Sequence, residues 1–168
     1  MPDTATREPC APATISPRRL RDCCGRFTTG VTVVTTRTAL GDHGMTVSAF
    51  MSVSLDPPLI AVALDSRSRM LARVGVSGRF AVSVLAQSMH EHALHFAGRP
   101  NEALQDLFEE RHGLPVLRAA SAIMLADVAQ RIEAGDHVLL LGKVTHLESD
   151  PAAAPLVYHA GQFHRLAG

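Results

Sequence analysis

Hydrophobic and β-branched residues fall in short runs separated by glycine, proline and polar clusters. That rhythm predicts strands joined by tight turns. Gly30 opens VTVVTT, a β-branched run that predicts a strand. Thr35 to Gly44, which holds Gly41-Asp42, reads as a hairpin connection. MTVSAFMSVSL reads as one strand stopped by Asp56-Pro57-Pro58, and LIAVAL as an apolar strand buried on both faces. The polar break DSRSR leads to a short helix over MLARV and a strand over FAVSVL. IMLADVAQRIE and HVLLLGKVTHL predict two longer strands around Gly135-Asp136. PLVYH and QFHRL form a final pair around a tight turn at Ala160-Gly161. Other helices are brief. Ser16-Pro17 caps one through Cys24 that closes at Gly25, Ser88 caps one to Phe96, and Asn101 caps one to Glu109. Residues 1–15 carry three prolines and no periodicity and read as a flexible tail, leaving 16–168 as one domain. Six or seven strands with only small helical inserts predict a mainly β, antiparallel barrel and not a doubly wound sheet.

Composition narrows the function classes. The chain has 168 residues, with 16 Lys plus Arg against 16 Asp plus Glu, so the net charge is zero. That balance argues against phosphate neutralisation along nucleic acid, and aromatics at 4% with no Trp make a poor stacking platform for single strands. No apolar run approaches the roughly 18–20 residues that span a bilayer, and the first fifteen residues lack a signal-peptide core. A cytoplasmic protein without nucleic-acid or membrane partners is expected. Three cysteines make no disulfide framework, and Cys23 and Cys24 are expected as small core residues of an amphipathic helix. A mean hydropathy of +0.12 at zero net charge points to apolar surface covered by a second copy of the chain.

Several clusters have chemical potential. Thr46, Ser48, Ser52 and Ser54 are evenly spaced, so on a single strand their hydroxyls share one face. Beside Ala49 they leave the backbone approachable, which suits the edge of a flat heterocycle as well as a solvated strand face. Asp65, Ser66, Arg67 and Ser68 combine hydroxyls and a guanidinium at a helix start, which suits a phosphate or a capped surface loop. His90, His92 and His95 lack metal-ligand spacing and read as solvated helix residues. His137 after Gly135-Asp136, and His159 before Ala160-Gly161, sit at turns where an imidazole either caps the turn or faces a cleft. There is no nucleophile triad, P-loop or dinucleotide glycine fingerprint.

Taken together, GRFTTGVTVVTT, GMTVSAFMSVSLDPPLIAVAL, FAVSVLAQSMHEHALHFAG, GDHVLLLGKV and PLVYHAGQFHRL resemble the short-chain flavin reductases, the reductase components of two-component flavin-dependent monooxygenases. The resemblance covers roughly residues 18–166. It implies a dimeric split β-barrel that binds FMN or FAD, reduces it with NADH or NADPH, and releases it to a separate monooxygenase. By position it assigns Thr46, Val47, Ser48 and Ala49 to the isoalloxazine edge, with Ser52 and Ser54 on the same strand. Asp65, Ser66, Arg67 and Ser68 would meet the ribityl chain and phosphate, and Phe96 and Ala97 would close the pocket. His137, His159 and Gly161 would face the nicotinamide. The sequence departs at Ala160, where relatives often carry an arginine. Such chemistry belongs to the two cofactors and requires no protein nucleophile or metal. The alternatives are a flavin-binding barrel that does not turn over, and a split-barrel protein holding haem or a deazaflavin.

Overall fold

The computed structural model describes residues 14–166. Helix α1 (Pro17–Cys24) starts as expected, with the Ser16 side chain accepting from the Arg19 N–H at 3.3 Å and proline in the first turn. Strands β1 (Thr29–Gly30), β2 (Thr32–Thr38), β3 (Gly41–Val47), β4 (Phe50–Leu55) and β5 (Pro58–Asp65) follow. Helix α2 (Arg69–Ser77) and β6 (Arg79–Val84) lead through a 3-10 turn at Gln87–Met89 to α3 (His90–Phe96). The rest is β7 (Phe108–Arg111), β8 (Leu114–Leu117), β9 (Ala122–Ala134), β10 (His137–Ser149), β11 (Val157–His159) and β12 (Gln162–His164).

The fold is mainly β. Seven strands form one sheet in the order β3-β2-β6-β9-β10-β5-β4, with small sheets β1-β11-β12 and β7-β8 beside it. The sheet's two edges, β3 and β4, are separated in the chain only by Ser48 and Ala49. Laid flat, six inter-strand steps would put those edges about 29 Å apart. Three residues of chain reach only about 11 Å. The sheet is therefore rolled, and it stays open because β3 and β4 share no ladder. Its concave face holds Phe80, Val34, Val62 and Leu140, closed by Met70, Leu71 and Val74 of α2. At Gly142 an added Cβ would stand 2.5 Å from the Phe80 ring, so only glycine lets β10 cross the core there. Two smaller cores lie under α3 with β11, and between β6, β9 and the β7–β8 hairpin.

Five expectations are corrected. Residues 45–55 are not one strand: the chain leaves β3 at Val47 and re-enters the sheet at its opposite edge as β4. Thr46 and Ser48 therefore share no strand face with Ser52 and Ser54, and a register shift between Ser52 and Ser54 breaks the alternation again. Thr35 to Gly44 is paired strand, with Thr35 opposite Gly44 and only Ala39-Leu40 left as the turn. The buried Thr32 and Thr36 hydroxyls prolong β2 by bonding to Val47 O at 2.6 Å and Arg79 O at 2.8 Å. Residues 101–109 form no helix. The Asn101 side chain accepts from the Ala103 N–H at 3.0 Å, which closes a local turn, and the chain goes on into the β7–β8 hairpin. Ser88 lies inside the 3-10 turn and caps nothing; α3 begins at His90. Cys23 and Cys24 are exposed, because α1 buries no residue and its one large apolar residue, Leu20, is itself exposed. Of the proposed tail, residues 1–13 lie outside the described residues.

Candidate functional site

Three of the segments singled out in the sequence meet at one end of the rolled sheet. Ala63 N–H donates to Ala49 O at 3.0 Å, which carries the β4–β5 pairing back into the 46–49 segment. His137 stands opposite Asp65 in the β5–β10 ladder, and Ser66 N–H donates to Asp136 O at 3.0 Å. The crossing at Ser48-Ala49, the loop 65–68 and the turn 135–137 are thus locked by backbone bonds. Ser48 and Ala49 are exposed, and Val47 is buried as part of the core. Thr46 does not offer a free hydroxyl: its Oγ1 donates to Ala93 O at 2.7 Å and ties β3 to α3.

The charges in the loop are partly spent on one another. Asp65 Oδ1 accepts from Arg67 N–H at 2.8 Å, and the Arg67 guanidinium reaches both carboxylate oxygens at 3.3 Å. These bonds hold the Asp65 carboxyl below the usual carboxylate range, with the side-chain contact to Arg67 the main cause. Ser68 caps α2 by accepting from the Leu71 N–H at 3.2 Å, and Ser66 is exposed. Arg67 stays 87% exposed, so its guanidinium is accessible to a phosphate while anchored at its base. Asp65, Arg67 and Ser68 line an open concavity. His137 Nδ1 lies 2.8 Å from Asp136 Oδ1, and that contact lowers the Asp136 carboxyl in turn. The His137 ring is half-exposed. Its partner fixes the direction in which the second nitrogen faces.

Phe96 packs directly on the β3 backbone: a Cβ added at Gly44 would meet its ring at 2.6 Å. Ala97, exposed at the end of α3, donates its N–H to Ala93 O at 3.1 Å. His159 and Gly161 are on the β11–β12 hairpin, which belongs to the small sheet beside the large one. Ala160 and Gly161 both have positive φ, 49° and 82°, as a two-residue turn of this kind demands. Ser52 and Ser54 pair with Ile60 and Leu59. At ~3.3 Å per residue this places them about 16–20 Å along β5 from Asp65. The structure does not bring them to the loop.

Sequence reasoning missed a cleft of about 330 Å³ lined by Phe27, Thr29, Gly30, Thr32, Ser48, Phe50 and Val84. Thr29 Oγ1 in its wall is buried without a hydrogen-bond partner, and Phe27 is 78% exposed. An orphan hydroxyl, an exposed ring and glycine backbone beside Ser48 fit a flat heteroaromatic ligand with a polar edge. The only available signal was an aromatic residue in the polar stretch before Gly30. Of the three helix histidines, His90 is half-exposed, whereas His92 and His95 are tied into the fold. His90 packs edge-on to Phe163, His95 Nδ1 accepts from Asn101 N–H at 3.0 Å, and burial pushes the His92 imidazole below its ordinary pKa. No group of three metal-ligating side chains occurs among the described residues.

A wholly antiparallel, rolled sheet with exposed small residues at its crossing, an anchored arginine loop and a Gly-Asp-His turn defines a mainly β class of fold. Residues 24–167 match the family described as flavin reductase like domain, and the chain belongs to that family. It is 39% identical over 155 residues to an NADH-dependent flavin reductase of Rhodococcus sp, covering 90% of this chain and 88% of that one. It is 36% identical over 146 residues to the reductase component of 4-hydroxyphenylacetate 3-monooxygenase of Thermus thermophilus, covering 87% and 94%. The solved structure of flavin reductase PheA2 superposes with a TM-score of 0.87 at 38% identity, covering 92% of this chain and all of that one.

Proposed function

We propose that this chain is an NADH-dependent flavin reductase that hands reduced flavin, as FMN or FAD, to a separate monooxygenase. The carrying observation is the backbone locking of 46–49, 65–68 and 135–137 at one end of the sheet. A bound flavin would supply the redox chemistry, as acceptor of a hydride from the reduced nicotinamide. The exposed backbone of Ser48 and Ala49 would border the ring edge and favour the negative charge gained on reduction. Val47 and Thr46 hold that segment from behind, through the core and through Ala93. Asp65 and Ser66 shape the phosphate loop, Arg67 binds the phosphate, and Ser68 fixes the loop to α2. Phe96 and Ala97 flank the pocket. His137, oriented by Asp136, positions the nicotinamide with His159 and Gly161, and orientation is where the protein gains rate.

The rolled, open sheet agrees with a split barrel. A second copy would cover edge strand β4, whose Met51, Val53 and Leu55 are exposed, Leu55 by 94%. That copy would bring its own surface to the open side of the site. No described helix is long and apolar enough to cross a membrane, and we place the protein in the cytoplasm, where NADH is plentiful. Anaerobic mixing of the purified protein with flavin and NADH tests the reading. The visible flavin band bleaches within seconds. A band that persists with NADH and NADPH, yet bleaches with dithionite, overturns it.

A further inference from the structure

We propose that Cys23 and Cys24 form a reversible, peroxide-sensitive dithiol that controls the junction between α1 and the sheet. Both thiols are exposed, and α1 buries no residue, so no packed side chain shields them or holds the helix in place. Their spacing is fixed by the covalent chain. Consecutive Cα atoms stand about 3.8 Å apart, short of the roughly 4.4–6.8 Å usual between bridged cysteines. A bond between them closes a small, strained ring, and strain makes a disulfide easy to reduce. Such a bond suits a reducing compartment, where disulfides are transient and report on redox state.

Forming it undoes the end of the helix. Neighbouring side chains on a helix point about 100° apart, so the two sulfurs meet only when the last turn unwinds. That turn holds two parts of the fold together. Cys23 O accepts from Arg26 N–H at 3.1 Å, and Cys24 O accepts from Phe27 N–H at 3.0 Å. Gly25 O accepts from Ala160 N–H at 2.8 Å and ties α1 to the β11–β12 turn, beside a cleft lined by Arg21, Arg26 and Gly161. Phe27 is a wall of the other cleft, with Thr29 and Ser48. Oxidation at 23–24 therefore releases Phe27 and Gly25 together. The aromatic cleft loses a wall, and turnover slows.

The source of the oxidant and the effect on turnover rest on the flavin reductase reading; the dithiol chemistry does not. Reduced flavin released into air passes two electrons and two protons to dioxygen, which becomes hydrogen peroxide. One cysteine thiolate attacks the peroxide O–O bond, leaving a sulfenic acid and, with a proton, water. The adjacent thiolate attacks that sulfur, the S–S bond forms, and the departing hydroxide takes up a proton as a second water. Two thiols and one peroxide thus become one disulfide and two waters.

The test uses the full chain with Cys10→Ser, so that only the adjacent pair is present, and a second protein that also carries Cys23→Ser and Cys24→Ser. After peroxide, the mass of the first protein falls by two hydrogens, and the peptide spanning residues 23 and 24 carries the whole change. Tryptic cleavage after Arg26 becomes about tenfold faster as the helix end opens. NADH-driven flavin reduction falls about fivefold, and dithiothreitol reverses all three effects. The double-serine protein keeps the untreated rate and does not respond to peroxide. Turnover in air produces the same mass change, and catalase prevents it. Thiols that survive peroxide, a disulfide joining two chains, or a disulfide that leaves cleavage and rate unchanged overturns the proposal. Equal inactivation of the double-serine protein overturns it too. A protein that forms the disulfide with added peroxide yet reduces no flavin with NADH overturns the reductase reading and leaves the dithiol standing.

Discussion

Gly44→Ala tests whether Phe96 is pinned to the strand that leads into the site. The new Cβ would lie 2.6 Å and 2.7 Å from two ring carbons of Phe96, about 0.8 Å inside ordinary contact at 3.4 Å. β3 cannot retreat, because Gly44 is paired to Thr35 and the Thr46 hydroxyl holds the same strand to α3. The ring must move instead, against Phe108 at 5.5 Å and His95 at 4.9 Å between centroids. Overpacking of this kind costs about 1–3 kcal/mol, or roughly 2–12 °C in Tm for a domain of this size. Removing the ring removes the clash. Phe96→Ala alone costs about 1.5–3 kcal/mol for a half-buried phenylalanine, and the double variant should cost no more than that. Urea unfolding of the four proteins, at constant slope, yields a coupling of about 1–3 kcal/mol favouring the pair. Flavin titration of Gly44→Ala should show weaker binding than wild type if the displaced ring closes the pocket as proposed. Additive costs within about 0.5 kcal/mol would refute the contact, and an unchanged flavin affinity would separate Phe96 from the site.

Other substitutions probe the loop and the turn. Arg67→Ala should weaken FMN binding by about 1.5–3 kcal/mol and riboflavin binding far less, since only the former carries the phosphate; equal losses by fluorescence titration would clear Arg67 of that role. Ser68→Ala removes the cap of α2 and should lower stability by about 0.5–2 kcal/mol in urea. His137→Ala should keep flavin affinity near wild type and slow stopped-flow reduction by NADH roughly 10- to 100-fold. Loss of flavin with full-rate reduction after reconstitution would instead assign His137 to the flavin pocket. Burial lowers the folded-state pKa of His92, so the unfolded chain takes up its proton first as pH falls below about 6.5. Stability from this residue is present above that pH and is lost between it and the lower folded value. Tm should therefore drop less between pH 7 and pH 5.5 in His92→Gln than in wild type, and parallel profiles would exclude the residue.

Local signals carried much of this architecture. β-branched runs, the Gly135-Asp136 and Ala160-Gly161 turns, the cap at Ser16 and a serine cap before α2 are written in a few neighbouring residues. Their strands and helices form where those residues predict. The motif segments were legible for the same reason: each is short and contiguous. What depended on distant partners was not legible. An unbroken β-like pattern from Met45 to Leu55 cannot reveal that the chain crosses to the opposite edge of a rolled sheet, because both halves satisfy the same alternation locally. Cys23 and Cys24 look like core residues on a helical wheel, but no sheet face is presented to α1. His92 loses its water only when α3 packs. Phe27, Thr29 and Ser48 share a cleft, and Arg21 and Arg26 share another with Gly161, through ladders and hydrogen bonds that join residues far apart in sequence. Propensity and turn chemistry act over a few residues and are readable there; burial, a hydroxyl's partner and a cation's neighbours arise only once the sheet has rolled.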